Sequence, residues 1–391
     1  MALPGVTFLV PCLNEAASLA EVLGEIRTFC SGPMRGRATE ILVSDNGSTD
    51  GSQRIARRAG AKVLQCRVKG YGSALRFGIA RAKHPFIVFA DSDASYHFAE
   101  SGPIIQALDQ GADLVMASRF KGRIEPGAMP WSHMHIGTPL LTAAINLLHA
   151  QGRVRLTDCN SGFRGVRRSA HDAWNLSAQG MDYAPELLVE ALRQGGDVRE
   201  VGSTLTRDKR GREPHLRTWR DGMRMLIQIL VAAPDAFGTV GACVWAASWM
   251  VLLAGGMFGA IALGPVVVLG PHSLLFALLG SVIGLTVWGA GLFLCARDPS
   301  RAKGLARVLL DMGEERLFWL SMGGGTLAVL ALMSIVIAWV LRGFSNIQLE
   351  TQTLLAVAFA SNILLVVWNS LSGHMLKRLA GVDRAAFRAK P

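Results

Sequence analysis

Residues 86–93 read FIVFADSD, and this stretch indicates the architecture of the first part of the chain. An unbroken apolar run that ends in polar residues is typical of a strand buried inside a sheet. On either side of it, short apolar runs alternate with amphipathic ones. This order predicts an α/β domain with a mainly parallel sheet that is covered by helices on both faces. We predict strands at 6–10, 40–44, 62–66, 86–90 and 113–117, and helices at 16–29, 48–58, 73–82 and 103–108.

Polar clusters follow four of these strands. A single cluster of this kind is often only a helix cap or a turn. In parallel sheets, however, ligands bind beyond the carboxyl ends of the strands, so clusters in register predict one shared crevice. The clusters contain Pro11, Asn14 and Glu15; Asp45, Asn46 and Gly47; Lys69, Gly70 and Gly72; and Asp91, Ser92 and Asp93.

The last cluster, Asp91-Ser92-Asp93, carries the sharpest chemical signal. Two carboxylates so close together repel each other unless a cation lies between them. Mg²⁺ and Mn²⁺ prefer carboxylate oxygens together with substrate phosphates. We therefore predict a divalent metal site at Asp91 and Asp93, with a surface turn that carries two solvated acids as the alternative. The sequence has no GxxxxGK[ST] and no GxGxxG after a strand, which argues against a P-loop ATPase and a Rossmann dehydrogenase.

The chain has 391 residues and a net charge of +11, and its charges are unevenly distributed. Residues 1–236 hold 29 basic and 23 acidic residues, whereas residues 237–391 hold 11 and 6. A helix needs about 20 apolar residues to cross a bilayer. Stretches at 237–263, 273–296, 317–341 and 354–375 meet this length, so we predict an integral, multi-pass membrane protein with four transmembrane helices. Six scattered cysteines favour a reducing compartment.

The loop charges predict the orientation of these helices. Lys and Arg are concentrated between the second and third spans and after the fourth, so the first domain and the C-terminus are predicted to be cytoplasmic. We expect no signal peptide, because residues 1–11 are too few and enter a strand pattern at once. Before the first span, Arg217, Arg220 and Arg224 recur at helical spacing within 215–231. This pattern predicts an amphipathic helix at the membrane surface, or alternatively a helix packed on the soluble domain.

These motifs together resemble those of family 2 glycosyltransferases with a GT-A fold. The resemblance is greatest to the branch that transfers one sugar from a nucleotide sugar to a polyprenyl phosphate, such as the dolichyl-phosphate sugar synthases and their bacterial undecaprenyl-phosphate relatives. It covers about residues 4–232. It implies inverting transfer of a hexose from UDP-glucose or GDP-mannose to a membrane polyprenyl phosphate, with Mg²⁺ or Mn²⁺ as cofactor. We expect a GT-A catalytic domain at 1–213, a juxtamembrane amphipathic helix at 214–236 and a transmembrane domain at 237–391.

The resemblance also implies roles for individual residues. Asp91 and Asp93 match the family's metal-binding pair, and the other members of the four clusters match its nucleotide-sugar segments. Residues 118–119 (SR) resemble the pair that faces the transferred sugar and phosphates, and residues 158–164 (DCNSGFR) resemble the acceptor-side loop. The implied catalytic residues are Asp93, Arg119 and Arg164, and the implied acceptor-phosphate residues are Arg119, Asn160, Ser161, Arg164, Lys209 and Arg212.

This chain departs from the family pattern at three places. Relatives often have a second Asp where Asn46 stands, and many have Gln where Ser95 stands, which makes Ser95 a weaker possible metal ligand. Relatives tend to carry an Arg at the position of Met134, which is flanked here by His133 and His135. Either histidine replaces the missing positive charge, the site has shifted, or both are ordinary surface residues.

The chemistry of a phosphate acceptor predicts that no general base is essential. A phosphomonoester has its second pKa near about 6, so it is mostly dianionic at neutral pH and already nucleophilic. It needs cations that hold it in line, and Arg suits this task through its planar fork of donors.

Two other functions stay open at this point. One is a membrane glycosyltransferase that acts on a different lipid acceptor, although the Gln-x-x-Arg-Trp motif of processive relatives is absent from the sequence. The other is a non-catalytic membrane scaffold or lipid flippase, which would tolerate the loss of Asp91 and Asp93. Nucleic acid is not an expected partner, because the basic residues cluster at predicted membrane edges. GxxxG spacings at 255–259 and 280–284 make a homo-oligomer a possible assembly.

Overall fold

The computed structural model describes residues 3–209, 218–259, 261–263, 266–299, 302–341 and 351–388. The chain divides into two compact units, Met1–Ala232 and Ala233–Pro391. The strands of the first unit are β1 (Val6–Cys12), β2 (Thr39–Asp45), β3 (Lys62–Gln65), β4 (Phe86–Phe89), β5 (Leu114–Ile124), β6 (Arg164–Arg167) and β7 (Val198–Leu205).

These strands form one sheet of seven, in the order β3-β2-β1-β4-β6-β5-β7. β6 runs antiparallel to both of its neighbours, and the other neighbouring pairs are parallel. The mainly parallel α/β architecture that the sequence predicts is therefore confirmed. β6 starts at the edge where β4 ends, since Arg164 pairs with Phe89.

Helices cover both faces of the sheet. Along β4, Phe86 and Val88 join one hydrophobic core while Ile87 and Phe89 join the other, because successive side chains of a strand point to opposite faces. Burial on both faces explains why this strand reads as an unbroken apolar run. The helices are α1 (Leu19–Ser31), α2 (Ser52–Arg58), α3 (Tyr71–Ile79), α4 (Ser101–Asp109), α5 (Thr138–Leu148), α6 (Arg168–Ala173), α7 (Tyr183–Arg193) and α8 (Thr218–Val231), with a π-helical segment at His133–Gly137.

α8 is the described part of the predicted amphipathic helix, and Arg217 lies outside the described residues. Met225 and Ile229 are buried in the core that α5 and α7 share with it. The side chain of His149 joins the end of α5 to α8, with Nε2 2.9 Å from the carbonyl oxygen of Ile229. Met223 and Ile227 remain 54% and 52% exposed. α8 therefore has one apolar face packed on the first unit and another that is exposed.

Within its described residues, the second unit contains four helices that are long and apolar enough to cross a membrane, as predicted. The first span was predicted to reach residue 263, and this is wrong: the helix ends at Phe258 and a short hairpin follows. Gly259 has a φ of +69°, a conformation that favours glycine and ends the helix. The elements are α9 (Pro234–Phe258), β8 (Ile261–Leu263), β9 (Val266–Leu269), α10 (Pro271–Arg297), α11 (Gly304–Asp311), α12 (Glu314–Leu341) and α13 (Thr351–Arg388).

Close contacts and buried polar groups join the spans of this unit. A Cβ on Gly284 of α10 would lie 2.6 Å from the backbone nitrogen of Trp245 in α9, so this glycine serves packing inside one chain. The Oδ1 atom of Asn362 in α13 accepts hydrogen bonds from Nε1 of Trp245 at 2.6 Å and of Trp249 at 3.1 Å. Its Nδ2 donates to Ser281 at 2.9 Å. Asn362 thus connects α9, α10 and α13.

Candidate active site

The first two polar clusters are joined into one turn at the carboxyl ends of β1 and β2. The Asp45 carboxylate accepts hydrogen bonds from the N–H groups of Gly47 at 3.0 Å and Ser48 at 3.1 Å. The Ser48 hydroxyl accepts from the N–H of Asn14 at 2.9 Å, and the side chain of Asn14 accepts from the N–H of Thr49 at 2.8 Å. The structure therefore brings Asn14, Asp45 and Gly47 together in one turn.

Asn46 fastens the third cluster to this turn. Its Nδ2 donates to the carbonyl oxygens of Cys66 at 3.2 Å and Val68 at 2.7 Å, and its Oδ1 accepts from the N–H of Gly70 at 2.7 Å. Lys69 donates back to the carbonyl oxygen of Asn46 at 2.8 Å. An ionised Asp has no N–H donor, so it could not make the first two bonds. The asparagine that departs from the family pattern thus has a specific local role.

The other residues predicted for nucleotide-sugar binding lie along the same edge. Pro11 is the last residue but one of β1, and Glu15 is buried. Gly72 lies in the first turn of α3, where a Cβ would come 2.6 Å from the carbonyl oxygen of Ala178. The carbonyl oxygen of Ser92 accepts a hydrogen bond from Ser18 at 2.7 Å.

The two predicted metal ligands follow β4. Asp93 is 3% exposed, and its Oδ1 accepts hydrogen bonds from the N–H of Ser95 at 3.0 Å and from the Ser95 hydroxyl at 2.6 Å. Ser95 therefore orients Asp93 in this arrangement. Desolvation and the Asp91 carboxylate beside it raise the pKa of Tyr71 well above its ordinary value, so this hydroxyl stays protonated and hydrogen-bonds to Asp91.

The chemistry of this pair fits Mg²⁺ or Mn²⁺. Such ions use one or two protein carboxylates and complete their shell with water and substrate phosphates. Among the described residues no group of three or more His, Cys, Asp or Glu is arranged to hold a metal, so a site at Asp91 and Asp93 would have two protein carboxylates. A donor set of two carboxylates leaves room for a diphosphate.

Arg119, within β5, and Asp158, in the loop before β6, form a buried, bidentate ion pair. Nε of Arg119 lies 2.6 Å from Oδ2 of Asp158, and Nη2 lies 2.8 Å from Oδ1. The side chain of Asp158 is 0% exposed and that of Arg119 is 12% exposed. Although burial disfavours the charged guanidinium, the neighbouring Tyr96 and Asp158 raise the pKa of Arg119. The pair uses two of the five N–H donors of the Arg119 guanidinium. The carboxylate thus fixes the position of the cation and leaves its other N–H donors for further hydrogen bonds.

A second buried carboxylate, that of Glu200 in β7, supports this pair. It accepts hydrogen bonds from the N–H of Asp158 at 3.0 Å and from the hydroxyl of Thr157 at 2.9 Å. Lys121 lies 2.9 Å away, and the Thr157 hydroxyl is 2.6 Å from that of Ser118. Sequence reasoning missed this network, because an acid within a strand pattern gives no sign of partners more than 40 residues away in the chain.

Arg164 has a different environment from that expected of a phosphate ligand. It is 1% exposed, and its guanidinium donates to the carbonyl oxygens of Ser161 at 2.8 Å, Cys159 at 2.9 Å and Ala184 at 2.6 Å. Burial lowers its pKa from the ordinary value. These contacts tie the acceptor-side loop to α7, so the structure supports a positioning role for Arg164.

The same loop reaches Asp91 of the predicted metal pair. The Oδ2 atom of Asp91 lies 2.6 Å from the position that a Cβ on Gly162 would take, so only glycine allows this approach. The N–H of Gly162 also donates to the Tyr96 hydroxyl at 3.0 Å. Of the predicted acceptor residues, Ser161 is fully buried, and the N–H of Asn160 donates to Asp158 at 3.2 Å.

The remaining predicted acceptor residues lie on other segments. The main chain of Lys209 donates to the carbonyl oxygen of Asp93 at 2.9 Å, while its ammonium group pairs with Glu21 at 2.6 Å. Arg212 lies outside the described residues. Burial and the nearby charge of Arg119 lower the pKa of His133, so this imidazole is neutral at pH 7.

His133 and His135 therefore differ in their surroundings. His133 lies close enough to Arg119 for that charge to affect its pKa, whereas the ring of His135 packs on Trp131 with centroids 5.0 Å apart. His133 therefore lies near the positive charge of Arg119.

The first unit thus has a mixed, mainly parallel α/β fold of the GT-A-like class, with the polar clusters at one edge of its sheet. The family model for glycosyl transferase family 2 matches residues 7–174, and the chain belongs to that family. It is similar to the low-salt glycan biosynthesis hexosyltransferase Agl6 of Haloferax volcanii, with 29% identity over 95% of this chain and 89% of the relative.

Two further relatives each match about half of this chain, and each match extends over most of the relative's length. An uncharacterized glycosyltransferase of Mycobacterium tuberculosis is 35% identical over 51% of this chain and 85% of that protein. The polyprenol monophosphomannose synthase of Mycolicibacterium smegmatis is 27% identical over 52% of this chain and 78% of that protein. The chain is thus a homologue of hexosyltransferases within family 2.

Proposed function

We propose that this enzyme transfers a single hexose, with inversion, from a nucleotide diphosphate sugar to a membrane polyprenyl phosphate. UDP-glucose and GDP-mannose are the proposed donors. The observation that carries this proposal is the contact between Asp91 and Gly162, which joins the metal pair to the acceptor-side loop. A donor diphosphate at the carboxylates and an acceptor at the loop would then meet at one place.

Asp91 and Asp93 would hold Mg²⁺ or Mn²⁺ together with the donor diphosphate. When bound, the ion would neutralise the negative charge that grows on the nucleotide as it leaves. The residues of the chain keep the two carboxylates in place: Tyr71 donates to Asp91, and Ser95 donates twice to Asp93. The turn around Asp45 and Asn46 would hold the nucleotide's base and ribose.

Arg119 would hold the acceptor phosphate in line with the sugar carbon. Its position is fixed by Asp158, and arginine grips phosphate through parallel N–H donors. Asp158 accepts from Arg119 and from the N–H of Asn160, and its side chain is 0% exposed. A carboxylate in this position orients the arginine, which agrees with a reaction that has no essential general base.

A lipid acceptor is supported by an apolar surface on the same unit. Large apolar side chains are exposed just before and within the π-helical segment and on α5 and α8. Two arginines of α8, Arg220 and Arg224, are exposed as well. Such a surface fits the boundary between headgroups and acyl chains. The exposed side chains are those of Trp131 (67%), Ile136 (54%), Leu140 (57%), Leu147 (82%), Met223 (54%) and Ile227 (52%).

The experiment that tests this function uses purified, full-length protein with each nucleotide sugar, Mg²⁺ and a short polyprenyl phosphate. Mass spectrometry should detect a polyprenyl-phosphate hexose, and chelation of divalent ions should abolish it. The Asp91→Ala/Asp93→Ala double variant should lose transfer, while Asp172→Ala, an exposed acid on α6, should retain it. Transfer only to a lipid alcohol, or lipid flipping that survives in the double variant, would contradict the proposal.

A further inference from the structure

One lateral edge of the first unit is strongly basic. Residues 51–90 contain nine Lys or Arg and no Asp or Glu, although the chain as a whole has 29 acidic residues. In the structure this segment forms α2, β3, α3 and the central strand β4, and β3 is an outermost strand of the sheet. We call its exposed cations on α2, on β3 and just after β3 the basic edge: Arg54, Arg57, Arg58, Lys62 and Arg67.

The basic edge borders the proposed donor side of the crevice. β3 pairs with β2 in a register that sets Gln65 beside Asp45, and Arg67 follows two residues later. Arg67 stands between Cys66 and Val68, the two residues whose carbonyl oxygens hold the side chain of Asn46. At about 3.3 Å per residue, Lys62 lies roughly 10 Å along the strand from that turn.

α2 reaches the crevice from the other side of the same edge. The Ser52 hydroxyl, at the first residue of α2, accepts a hydrogen bond from the N–H of Glu15 at 3.0 Å. At about 1.5 Å per residue, Arg54 and Arg57 lie roughly 3 and 8 Å further along the helix axis. Lys62 pairs with Glu40, but the separation is 3.8 Å and the lysine side chain is 60% exposed.

We propose that the basic edge attracts the nucleotide diphosphate sugar and accelerates its entry into the crevice. This inference rests on the proposed function, since the ligand is the donor proposed above. Charges on one side of a cleft raise the association rate of an oppositely charged ligand by factors of about 10 to 1,000. The field acts over about 30 Å at 0.01 M salt and about 10 Å at 0.1 M, which spans the distance from these residues to the crevice.

The test compares two triple variants that remove the same charge. Arg54→Gln/Arg57→Gln/Arg67→Gln neutralises the basic edge. Arg35→Gln/Arg81→Gln/Lys83→Gln neutralises three exposed cations near the opposite, amino-terminal ends of the strands. Full-length protein in phosphatidylcholine nanodiscs is mixed with fluorescent UDP or GDP in the presence of Mg²⁺, and the association rate is followed by stopped flow from 10 to 300 mM salt.

We expect the association rate at 10 mM salt to fall about tenfold in the basic-edge variant and less than twofold in the control. The dissociation rate should stay unchanged, and the two variants and wild type should converge at 300 mM salt. Equal salt dependence in all three proteins would overturn the inference while leaving the proposed function intact.

Two further outcomes would also count against the inference. An effect that appears only when phosphatidylglycerol replaces the neutral lipid would mean that the edge faces anionic headgroups. Failure of wild type to bind either nucleotide would remove the proposed donor class, and with it both proposals.

Discussion

The ion pair between Arg119 and Asp158 gives the sharpest energetic prediction. Arg119→Ala removes both side-chain donors from a carboxylate that is 0% exposed. Removing one partner of a buried pair costs about 3–5 kcal/mol, because the remaining charge loses its compensation. A domain of this size loses roughly 2–4 °C of Tm per kcal/mol, so the thermal midpoint of the first unit should fall by about 6–20 °C.

A double-mutant cycle separates this effect from simple loss of packing. Asp158→Ala should also destabilise strongly, and the double variant should be more stable than the sum of the two losses predicts, by about 0.5–3 kcal/mol. Differential scanning calorimetry of the detergent-solubilised protein measures these values. Arg119→Lys should retain much of the stability, because lysine keeps the positive charge. It should lose most of the affinity for the acceptor, because lysine lacks the planar, parallel N–H donors of the guanidinium.

The chain offers a matched control for this cycle. Arg199 and Asp197 are also separated by 2.7 Å, but their side chains are 37% and 45% exposed. Water screens such a pair, so Arg199→Ala should leave the thermal midpoint almost unchanged. If the losses at Arg119 and Asp158 were strictly additive, or no larger than the loss at Arg199, the buried pair would not hold the site in the way described.

Three further changes test other parts of the molecule. Glu200→Gln should lower kcat/KM for the acceptor by about 10- to 100-fold, because charged hydrogen bonds contribute about 1.5–3 kcal/mol. The KM for the donor should not change. Equal effects on both substrates would contradict a local role for Glu200. Burial lowers the pKa of His171, so the unfolded chain binds more protons and stability should fall as the pH drops below the ordinary histidine value; His171→Phe should flatten the dependence of Tm on pH between 7 and 5. Asn362→Leu removes three hydrogen bonds between membrane helices, and such bonds average about 0.6 kcal/mol each. A denaturant titration should therefore show that the free energy of unfolding of the second unit falls by about 1–2 kcal/mol. Ser334→Ala on α12 is the control.

The sequence predicts the elements whose pattern depends on local burial. β4 is identified because both of its faces are covered, and the four membrane helices because lipid demands long apolar runs. β6 escapes prediction, since residues 164–167 read RGVR and contain one large apolar residue. The helix predicted from residue 48 begins at Ser52 instead, because Asp45 and Asp50 use their carboxylates to bind the backbone of the turn.

The site residues show the same difference between what a local sequence pattern predicts and what depends on distant contacts. Short motifs locate Asp91, Asp93 and Arg119, since the chemistry of metal and phosphate needs these residue types. Partners that are distant in the chain, such as Glu200 for Asp158, depend on how strands assemble and leave no periodic trace. Arg164 shows the converse limit: its residue type suggests an anion ligand, and only the three carbonyl oxygens around it reveal that it stabilises a loop.

The reversed direction of β6 has a consequence for how such enzymes diversify. Because this strand begins where β4 ends, the loop before it arrives at the rim from a stretch of chain that is separate from residues 11–93. In the proposed reaction, the recipient of the sugar (the acceptor) and its carrier (the donor) would thus be held by two separate segments of the chain, which touch at Asp91 and Gly162. Grafting residues 118–164 from a relative offers a route to enzymes that accept new recipients yet keep the original carrier.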